Sequence, residues 1–324
     1  MKGVEIIGTG SFVPEKILTN TDLESIVDTS DQWIRERTGI EERRICTGDE
    51  DTSYLAISAA VRAIDSCSID VKDIDLIIVA TVTPDGSVPS VACRVQRAIG
   101  ADKAMAFDLN GACSGFLFAM DTAVQFIKNG TVDKALVIAA EGLTKMVDWS
   151  DRNTCVLFGD GAGAVVLSAA EEEYITNINC RSVGSKGDYI TCNNSPMENL
   201  FVESAPREKM KLNGKEVYKF ATKIMEQEYY RVLEETGLKP WDINHILPHQ
   251  ANLRMIESFS KKVSAPMSRF IINIYKRGNT SGSTIPIAMD EAFKNGRIKK
   301  GENIFVVAFG GGLTYGSALI KWNL

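Results

Sequence analysis

A cysteine, a histidine and an asparagine stand in short stretches of this sequence that suit chemistry on sulfur. Cys113 lies in "NGACSGF", among small residues where a helix is predicted to begin. The unpaired N–H groups and positive dipole end of a helix N-terminus favour a thiolate, so a lowered pKa is expected. His249 follows a predicted strand in "INHILPHQAN", and sites form at the carboxyl ends of strands in α/β sheets. With Asn279 in "GNTSGSTIPIA", these residue types suggest acyl transfer through a thioester.

Each of the three also has a purely structural interpretation: a core cysteine, a loop histidine and a turn asparagine. If they act together, two chemistries remain open. A hydrolase would use Asn279 to orient His249 as a base, whereas a condensing enzyme would use both as hydrogen-bond donors to a thioester oxygen. An amide NH2 is a neutral donor at any working pH, which suits an oxygen that becomes negative on decarboxylation.

An internal repeat favours the condensing enzyme. The stretches "LNGACSGFLFAMDTAVQFIKNG" and "RGNTSGSTIPIAMDEAFKNG" both predict a turn followed by a helix, and both contain Ala-Met-Asp and end in Lys-Asn-Gly. The two Ala-Met-Asp triplets are 169 positions apart. Shifting the first stretch by that number aligns Asn110 with Asn279 and Cys113 with Gly282. Cys113 and Asn279 would then occupy near-equivalent helix starts on opposite sides of one cleft.

Strand-like and helix-like runs alternate along the chain, which predicts an α/β architecture of two similar halves. The charged segment "SAAEEEY" is the expected boundary, giving halves at residues 1–171 and 172–324. Each half ends in a strand beside a glycine cluster, "GDGAGA" or "GGGLTYG". Because a strand and not a helix follows each cluster, neither fits a dinucleotide-binding loop. Tight turns are the simpler interpretation, although a backbone N–H of the second cluster could complete an oxyanion hole with the Cys113 N–H.

Composition narrows the functional classes. The 324 residues carry a net charge of −6, which argues against nucleic acid as the main partner. The seven cysteines contain no C-x-x-C pair and the only histidines are His245 and His249, so no metal site is expected. No apolar run approaches the ~18 residues of a membrane span, and the N-terminus lacks the features of a signal peptide. A cytoplasmic protein that acts away from membranes is expected.

Over nearly its whole length the sequence resembles the β-ketoacyl-acyl-carrier-protein synthase III family, the initiating condensing enzymes of bacterial type II fatty acid synthesis. The resemblance rests on these motifs: "DTSDQWIRERTGIEERRI", "DLNGACSGF", "DWSDRNTCVLFGDGAGA", "LNGKEVYKFA", "PHQAN", "GNTSGSTIP" and "FGGGLTYGSAL". Elongating relatives use a cysteine with two histidines, and Asn279 in the remaining position here supports the type III branch. Gly111 departs from the family, which more often has alanine there.

The resemblance implies a thiolase-like fold, a five-layered αβαβα duplication acting as a homodimer. It implies Cys113, His249 and Asn279 as the catalytic set, with an oxyanion hole formed by the N–H groups of Cys113 and Gly311. The residues implied for coenzyme A are Thr29, Trp33, Arg37, Arg152, Gly214 and Asn252. Val88 is implied to shape the acyl pocket.

The implied reaction is a decarboxylative condensation of a short acyl-CoA, such as acetyl-CoA, with malonyl-acyl-carrier protein. No metal or bound organic cofactor is expected, since coenzyme A enters as the thioester substrate. Two alternatives stay open: a related condensing enzyme of specialised, polyketide-type metabolism, and an acyl-CoA thioesterase that uses the same cysteine.

An acidic carrier protein needs a local basic patch on a chain that is itself acidic. "NLRMIESFSKKVSAP" predicts a helix that begins near Asn252, in which Arg254, Lys261 and Lys262 share one face. The family resemblance adds Lys219 near the same channel. A solvated helix face is the ordinary alternative.

Overall fold

The computed structural model describes residues 2–193, 196–203 and 205–324 as a mixed α/β fold. The strands are β1 Gly3–Phe12, β2 Ile17–Thr19, β3 Glu42–Arg44, β4 Leu76–Ala80, β5 Met105–Leu109, β6 Lys134–Glu141, β7 Gly161–Ala170, β8 Ile175–Ser182, β9 Ile190–Thr191, β10 Lys211–Leu212, β11 His245–Pro248, β12 Asn303–Gly310 and β13 Thr314–Lys321. The α-helices are α1 Asn20–Glu24, α2 Asp31–Thr38, α3 Thr52–Cys67, α4 Val91–Ile99, α5 Gly115–Lys128, α6 Gly214–Thr236, α7 Leu253–Lys262, α8 Ile274–Arg277 and α9 Thr284–Lys294.

Two sheets repeat one strand order, which confirms the duplication. The first sheet runs β1-β7-β6-β4-β5 and the second runs β8-β13-β12-β11. In the first, β4 and β6 are parallel, and β6–β7 and β7–β1 are antiparallel. In the second, β11 and β12 are parallel, and β12–β13 and β13–β8 are antiparallel. The second sheet therefore repeats four strands of the first, and β5 is the addition at one edge.

Alternating side chains on the buried strands divide the core into layers. On β4, Ile77 and Val79 pack with α3 and α4, whereas Leu76 and Ile78 pack with α5 and α9. On β12, Val306 faces the same central pair of helices, and Phe305 packs with α6 and α7. The order is helices, sheet, helices, sheet, helices, as expected for the five-layered αβαβα fold. Because α5 and α9 lie side by side at the centre, the turns that start them meet.

The smaller elements pack together beside the two sheets and have a hydrophobic core of their own. A fourth core cluster joins β2, α1 and α2 to residues that follow β6, with Leu23, Ile34, Leu143 and Val156 among its buried members. The predicted boundary between residues 171 and 172 falls in the exposed turn between β7 and β8. Its use as a domain boundary stays a prediction. No helix in the described part of the chain is long and apolar enough to cross a membrane.

Candidate active site

A cavity of about 780 Å³ opens between the two halves. Its lining includes ten of the predicted site residues, Trp33, Arg37, Cys113, Arg152, Gly214, His249, Asn252, Arg254, Asn279 and Gly311. The predicted catalytic set therefore lies together, although its members come from positions far apart in the sequence.

The backbone around Cys113 makes a sharp turn before the helix. Ala112 adopts a left-handed conformation with φ of 47°, and its N–H donates to Asn110 Oδ1 at 3.3 Å. A 3₁₀ turn, Ala112–Ser114, leads into α5 at Gly115. Gly310 lies against this turn so closely that a Cβ there would be 2.7 Å from the Cys113 nitrogen. The second glycine cluster thus contacts the nucleophile's backbone, because its first glycine has no side chain.

The turn around Asn279 repeats this geometry. Ser281 is also left-handed, with φ of 52°, and its N–H donates to Asn279 Oδ1 at 2.8 Å. A 3₁₀ turn, Ser281–Ser283, leads into α9 at Thr284. A backbone N–H can only donate, so this bond identifies Oδ1 and leaves the Asn279 Nδ2 group as the donor for a ligand. The match confirms the alignment of Asn110 with Asn279 that the repeat predicts.

Cys113 is a thiol in this environment. Its pKa is raised to about 11: burial is the main cause, the Ser281 hydroxyl acts in the opposite direction, and the Glu141 carboxylate adds to the rise. The expectation of a lowered pKa is therefore wrong here. The α-helix proper begins two residues after Cys113, so the helix end does not outweigh the loss of water around the sulfur.

His249 is neutral. Burial lowers its pKa to about 3, and the ring packs edge-on against Phe309, with 5.3 Å between centroids. Its Nδ1 lies 2.7 Å from Thr284 Oγ1, which also accepts the Gln250 N–H at 3.4 Å. The Thr284 hydroxyl can donate to Nδ1 or accept from it, so the contact holds the ring but does not by itself fix its proton. We expect the tautomer in which Thr284 donates to Nδ1 and the ring proton lies on Nε2, which makes Nε2 a donor.

Trp33 and two arginines form the more exposed end of the cavity. The guanidinium carbon of Arg152 lies 5.1 Å from the centre of the Trp33 ring, and that of Arg37 lies 5.4 Å away. Arg152 also donates to the Asp28 carbonyl at 2.8 Å. Flat aromatic and guanidinium faces of this kind stack well on a nucleobase.

Backbone and amide groups line the passage between the two ends. Gly214 is the first residue of α6. Asn252 caps α7: its Oδ1 accepts the Arg254 N–H at 2.9 Å, and its Nδ2 donates to the Arg37 carbonyl at 3.0 Å. This cap fixes α7 against α2, so the helix begins where the sequence predicts.

Five predicted residues lie outside the cavity lining: Val88, Thr29 and three lysines of the basic patch, Lys219, Lys261 and Lys262. Val88 is 84% exposed in the loop before α4 and does not line the cavity of the single chain, so its part in the acyl pocket stays a prediction. Thr29 is half-buried, with an Oγ1 that has no hydrogen-bond partner among the described residues. It precedes α2 and adjoins Asp28, and its contact with coenzyme A stays a prediction.

The predicted basic patch has unequal members. Arg254 lines the cavity, and Arg254, Lys261 and Lys262 are exposed on α7. Lys262 pairs with Glu226 at 2.7 Å, and Lys219 on α6 pairs with Glu216 at 2.6 Å. Part of the positive charge is therefore compensated within the chain.

Comparison with known proteins gives a consistent result. Family models described as 3-oxoacyl-[acyl-carrier-protein (ACP)] synthase III and its C-terminal part match residues 107–184 and 233–322. The beta-ketoacyl-[acyl-carrier-protein] synthase III of Clostridium acetobutylicum is 52% identical, and that of Clostridium novyi 50% identical, each over 100% of both chains. The chain belongs to this family. The crystal structure of the Aquifex aeolicus VF5 enzyme is 44% identical with a TM-score of 0.93, covering 99% of this chain and 100% of that one.

For a β-ketoacyl-acyl-carrier-protein synthase III, the structure adds groups that the sequence analysis missed. Thr284 hydrogen-bonds to the catalytic histidine, Ser281 lines the cavity with Cys113, and the charge of Glu141 raises the pKa of the Cys113 thiol. The repeat could have drawn attention to Ser281, because it aligns with Ala112 in the nucleophile turn. Nothing local distinguishes Glu141, a glutamate at the end of an apolar strand. The described residues contain no group of three or more His, Cys, Asp or Glu side chains arranged to hold a metal ion.

Proposed function

We propose that this chain catalyses the condensation of a short acyl-CoA with malonyl-acyl-carrier protein, giving 3-oxoacyl-acyl-carrier protein, CoA and CO2, as the first step of fatty acid synthesis. The observation that carries the proposal is that one cavity is lined by a thiol and two neutral donors, Cys113, His249 and Asn279. The full-length family match supports the same reaction.

In the first half-reaction Cys113 attacks the acyl-CoA carbonyl. The S–H bond breaks, a carbon–sulfur bond forms, and CoA leaves as its thiol with the proton. The tetrahedral oxyanion would accept hydrogen bonds from the N–H groups of Cys113 and Gly311, as predicted from the family resemblance. The contact between Gly310 and the nucleophile turn places the cluster beside Cys113, which supports this assignment.

In the second half-reaction the malonyl thioester oxygen accepts hydrogen bonds from His249 Nε2 and Asn279 Nδ2. The carbon–carbon bond to the carboxylate breaks, CO2 departs and the electron pair forms an enolate. Both donors are neutral, so neither holds the departing carboxylate by charge. The enolate carbon then attacks the acyl carbonyl on Cys113, and the cysteine leaves as a thiolate.

The hydrogen bonds around the site favour condensation over thioester hydrolysis. In a hydrolase of this type the asparagine would orient the histidine. Here the hydroxyl of Thr284 orients His249, and Asn279 Oδ1 accepts the Ser281 N–H. The asparagine side chain is thus held as a separate donor.

Nothing in the site favours polyketide-type over fatty acid metabolism, and the relatives reported above do not favour the polyketide-type alternative.

The proposal includes the partners expected from the sequence. Trp33 and Arg152 would hold the adenine of CoA between them, with Thr29 and Arg37 near its nucleotide end. Gly214 and Asn252 would line the pantetheine passage. The carrier protein would dock on the basic patch formed by Lys219, Arg254, Lys261 and Lys262. No metal or organic cofactor takes part.

A homodimer is also part of the proposal. Strand β5 is an unpaired edge of the first sheet, and Met105 on it is 49% exposed. An open edge strand with exposed apolar side chains is a surface that pairs with another chain. Light scattering of the purified protein at working concentration tests this, and a monomer mass would contradict it.

One experiment tests the reaction. Purified protein is mixed with labelled acetyl-CoA and malonyl-acyl-carrier protein, and the products are identified by mass spectrometry. We expect a ketoacyl-carrier protein together with free CoA and CO2. Free CoA with acetate and no ketoacyl product would support the thioesterase instead. Cys113→Ala is the control for transfer that does not pass through the nucleophile.

A further inference from the structure

Thr314 joins the second glycine cluster to the turn around Cys113. It is the first residue of β13 and is 8% exposed. Its Oγ1 lies 3.0 Å from the Gly111 carbonyl oxygen and 3.0 Å from the Gly311 carbonyl oxygen. The first carbonyl belongs to the nucleophile turn and the second to the glycine cluster. A single hydroxyl therefore spans the two segments that carry the proposed oxyanion-hole donors.

The direction of these hydrogen bonds is unambiguous. A carbonyl oxygen can only accept, so the Thr314 hydroxyl donates and shares its one proton between the two oxygens. The Gly111 carbonyl also accepts the Ser114 N–H at 3.1 Å, which closes the 3₁₀ turn before α5. That oxygen thus has one partner within the turn and one in the cluster. The bond from Thr314 to Gly111 is buried, where the loss of a partner is costly.

The methyl group of Thr314 sets the direction of its hydroxyl. A Cβ on Gly312 would lie 2.8 Å from Thr314 Cγ2, so the methyl group packs directly against the glycine backbone. A side chain that is branched at Cβ is stiff about χ1, so a fixed methyl group also fixes the hydroxyl. The link between the two segments is therefore formed by the protein alone, before any substrate binds.

The backbone N–H groups that would donate to an oxyanion lie on either side of this link. Neither the Cys113 N–H nor the Gly311 N–H donates to a backbone carbonyl in the described part of the chain. Gly310 brings the two segments into contact, since a Cβ there would be 2.7 Å from the Cys113 nitrogen and 2.9 Å from the Cys113 Cβ. Two donors thus belong to two separate segments, which meet at Gly310 and are joined by the Thr314 hydroxyl.

We propose that Thr314 is a positioning residue for the oxyanion hole, whose hydroxyl fixes the separation between the N–H groups of Cys113 and Gly311. The inference rests on the proposed function, in which these groups stabilise the tetrahedral oxyanion. Such donors are effective because they are held in place before the charge develops. A displacement of about 1 Å is enough to slow a reaction by about a hundredfold.

The two half-reactions should depend on this link to different extents. Acylation and carbon–carbon bond formation both pass through an oxyanion on the carbonyl that is joined to Cys113. Decarboxylation instead places charge on the malonyl thioester oxygen, beside His249 and Asn279. His249 has its own partner, because its Nδ1 lies 2.7 Å from Thr284 Oγ1. Phe309 of β12 packs against the His249 ring, so a small effect on decarboxylation is also expected.

The test compares Thr314→Val with wild type. Valine keeps the shape and the methyl contact with Gly312, but its second methyl group cannot donate to the two carbonyl oxygens. Rapid mixing with acetyl-CoA, followed by intact-mass detection of the acyl adduct, gives the acylation rate constant and the half-saturating concentration. We expect the rate constant to fall by about 10- to 100-fold. The half-saturating concentration should stay within about twofold of wild type, because ground-state binding is unchanged.

The second half-reaction is measured on protein that has first been fully acetylated and then freed of acetyl-CoA. Single-turnover mixing with labelled malonyl-acyl-carrier protein gives the rate of CO2 release and the carrier-bound products. CO2 release should stay within about threefold of wild type. An enolate that fails to attack the acyl group takes a proton from water, so the share of acetyl-carrier protein should rise relative to the 3-oxoacyl product. Equal losses in acylation and CO2 release would overturn the proposal, because they would indicate general damage to the site.

Two further variants separate the hydroxyl from the rest of the side chain. Thr314→Ser keeps the hydroxyl and Thr314→Ala does not, whereas both lack the methyl group. The serine variant should acylate within about fivefold of wild type, and the alanine variant should be slower than wild type by about tenfold or more. Equal acylation rates in these two variants would overturn the proposal, and this comparison also decides the matter if Thr314→Val does not fold.

Thr222→Val is the matched control for the loss of a buried threonine hydroxyl. Thr222 is 6% exposed, and its hydroxyl donates to the Tyr218 carbonyl at 3.0 Å within α6. The control should acylate at the wild-type rate, and a loss as large as in Thr314→Val would contradict a specific role for Thr314. A wild-type protein that forms no acyl adduct would contradict the proposed function and this inference together. Normal acylation in Thr314→Val would contradict this inference alone.

Discussion

Replacing Asn279 by aspartate tests the donor role with almost no change in shape. Asn279 is 6% exposed, and its Oδ1 accepts the Ser281 N–H at 2.8 Å. Aspartate keeps an oxygen acceptor there and exchanges the NH2 donor for a second oxygen. Losing one such donor costs about 3 kcal/mol, which is roughly a hundredfold in rate. Because ionised aspartate also repels the enolate, we expect Asn279→Asp to lose at least about a hundredfold in malonyl decarboxylation at neutral pH.

The same variant should recover part of its activity in acid. Burial raises the pKa of a carboxyl group, and the protonated form can donate a hydrogen bond as the amide does. The ratio of the Asn279→Asp rate to the wild-type rate should therefore rise as pH falls. Release of labelled CO2 from malonyl-acyl-carrier protein measures this step, and intact-mass detection of acylated Cys113 measures the other. Acylation should change less than decarboxylation.

Asn110→Asp is the matched control, because Asn110 holds the equivalent turn in the other half and its Oδ1 accepts the Ala112 N–H. It should cost far less in decarboxylation than Asn279→Asp. Wild-type decarboxylation in Asn279→Asp would refute the donor role. A loss that does not vary with pH would point to damage of the turn, and normal decarboxylation with failed acylation would restore the hydrolase-type role for the asparagine.

Four further outcomes are expected. Cys113→Ala should show no acyl adduct by intact mass after incubation with acetyl-CoA, and a persisting adduct would place the nucleophile elsewhere. Trp33→Ala should raise the KM for acyl-CoA by about tenfold with little change in kcat, since stacking contributes roughly 1–2 kcal/mol. Thr284→Val should slow decarboxylation by about tenfold because the hydroxyl that is expected to donate to Nδ1 is lost; equal loss in both half-reactions would count against this. Arg254→Glu with Lys261→Glu should raise the KM for malonyl-acyl-carrier protein and spare acylation, and wild-type condensation should weaken with salt; equal losses with both substrates would remove the docking assignment.

The duplicated architecture was predictable because short stretches of the sequence repeat in the two halves. The triplet shared by the two central helices and the small residues before each helix encode the same turn twice, and the structure repeats the left-handed residue and the amide bond in both. The apolar strands likewise indicated two sheets. The catalytic set followed because the chain has few histidines and only one cysteine in such a turn.

The electrostatics of the site were not predictable in the same way. A helix start suggested a low pKa for Cys113, but burial and the charge of Glu141 act in the opposite direction, and both depend on residues distant in sequence. Val88 was assigned to the pocket by family resemblance alone, yet in one chain it faces solvent. Contacts made across a fold, or between chains, are not encoded in a local pattern.

The repeat also explains how two similar halves came to hold different chemistry. Glu141 and Gly310 end equivalent strands, β6 and β12. At Gly310 the missing side chain lets the strand lie against Cys113, which a Cβ would prevent. Gly282 stands in the C-terminal half where the N-terminal half has Cys113, and the strand end equivalent to Gly310 carries the Glu141 side chain. The N-terminal half thus carries both the nucleophile and the carboxyl group of Glu141, and the C-terminal half supplies the amide donor and the glycine that lies against Cys113.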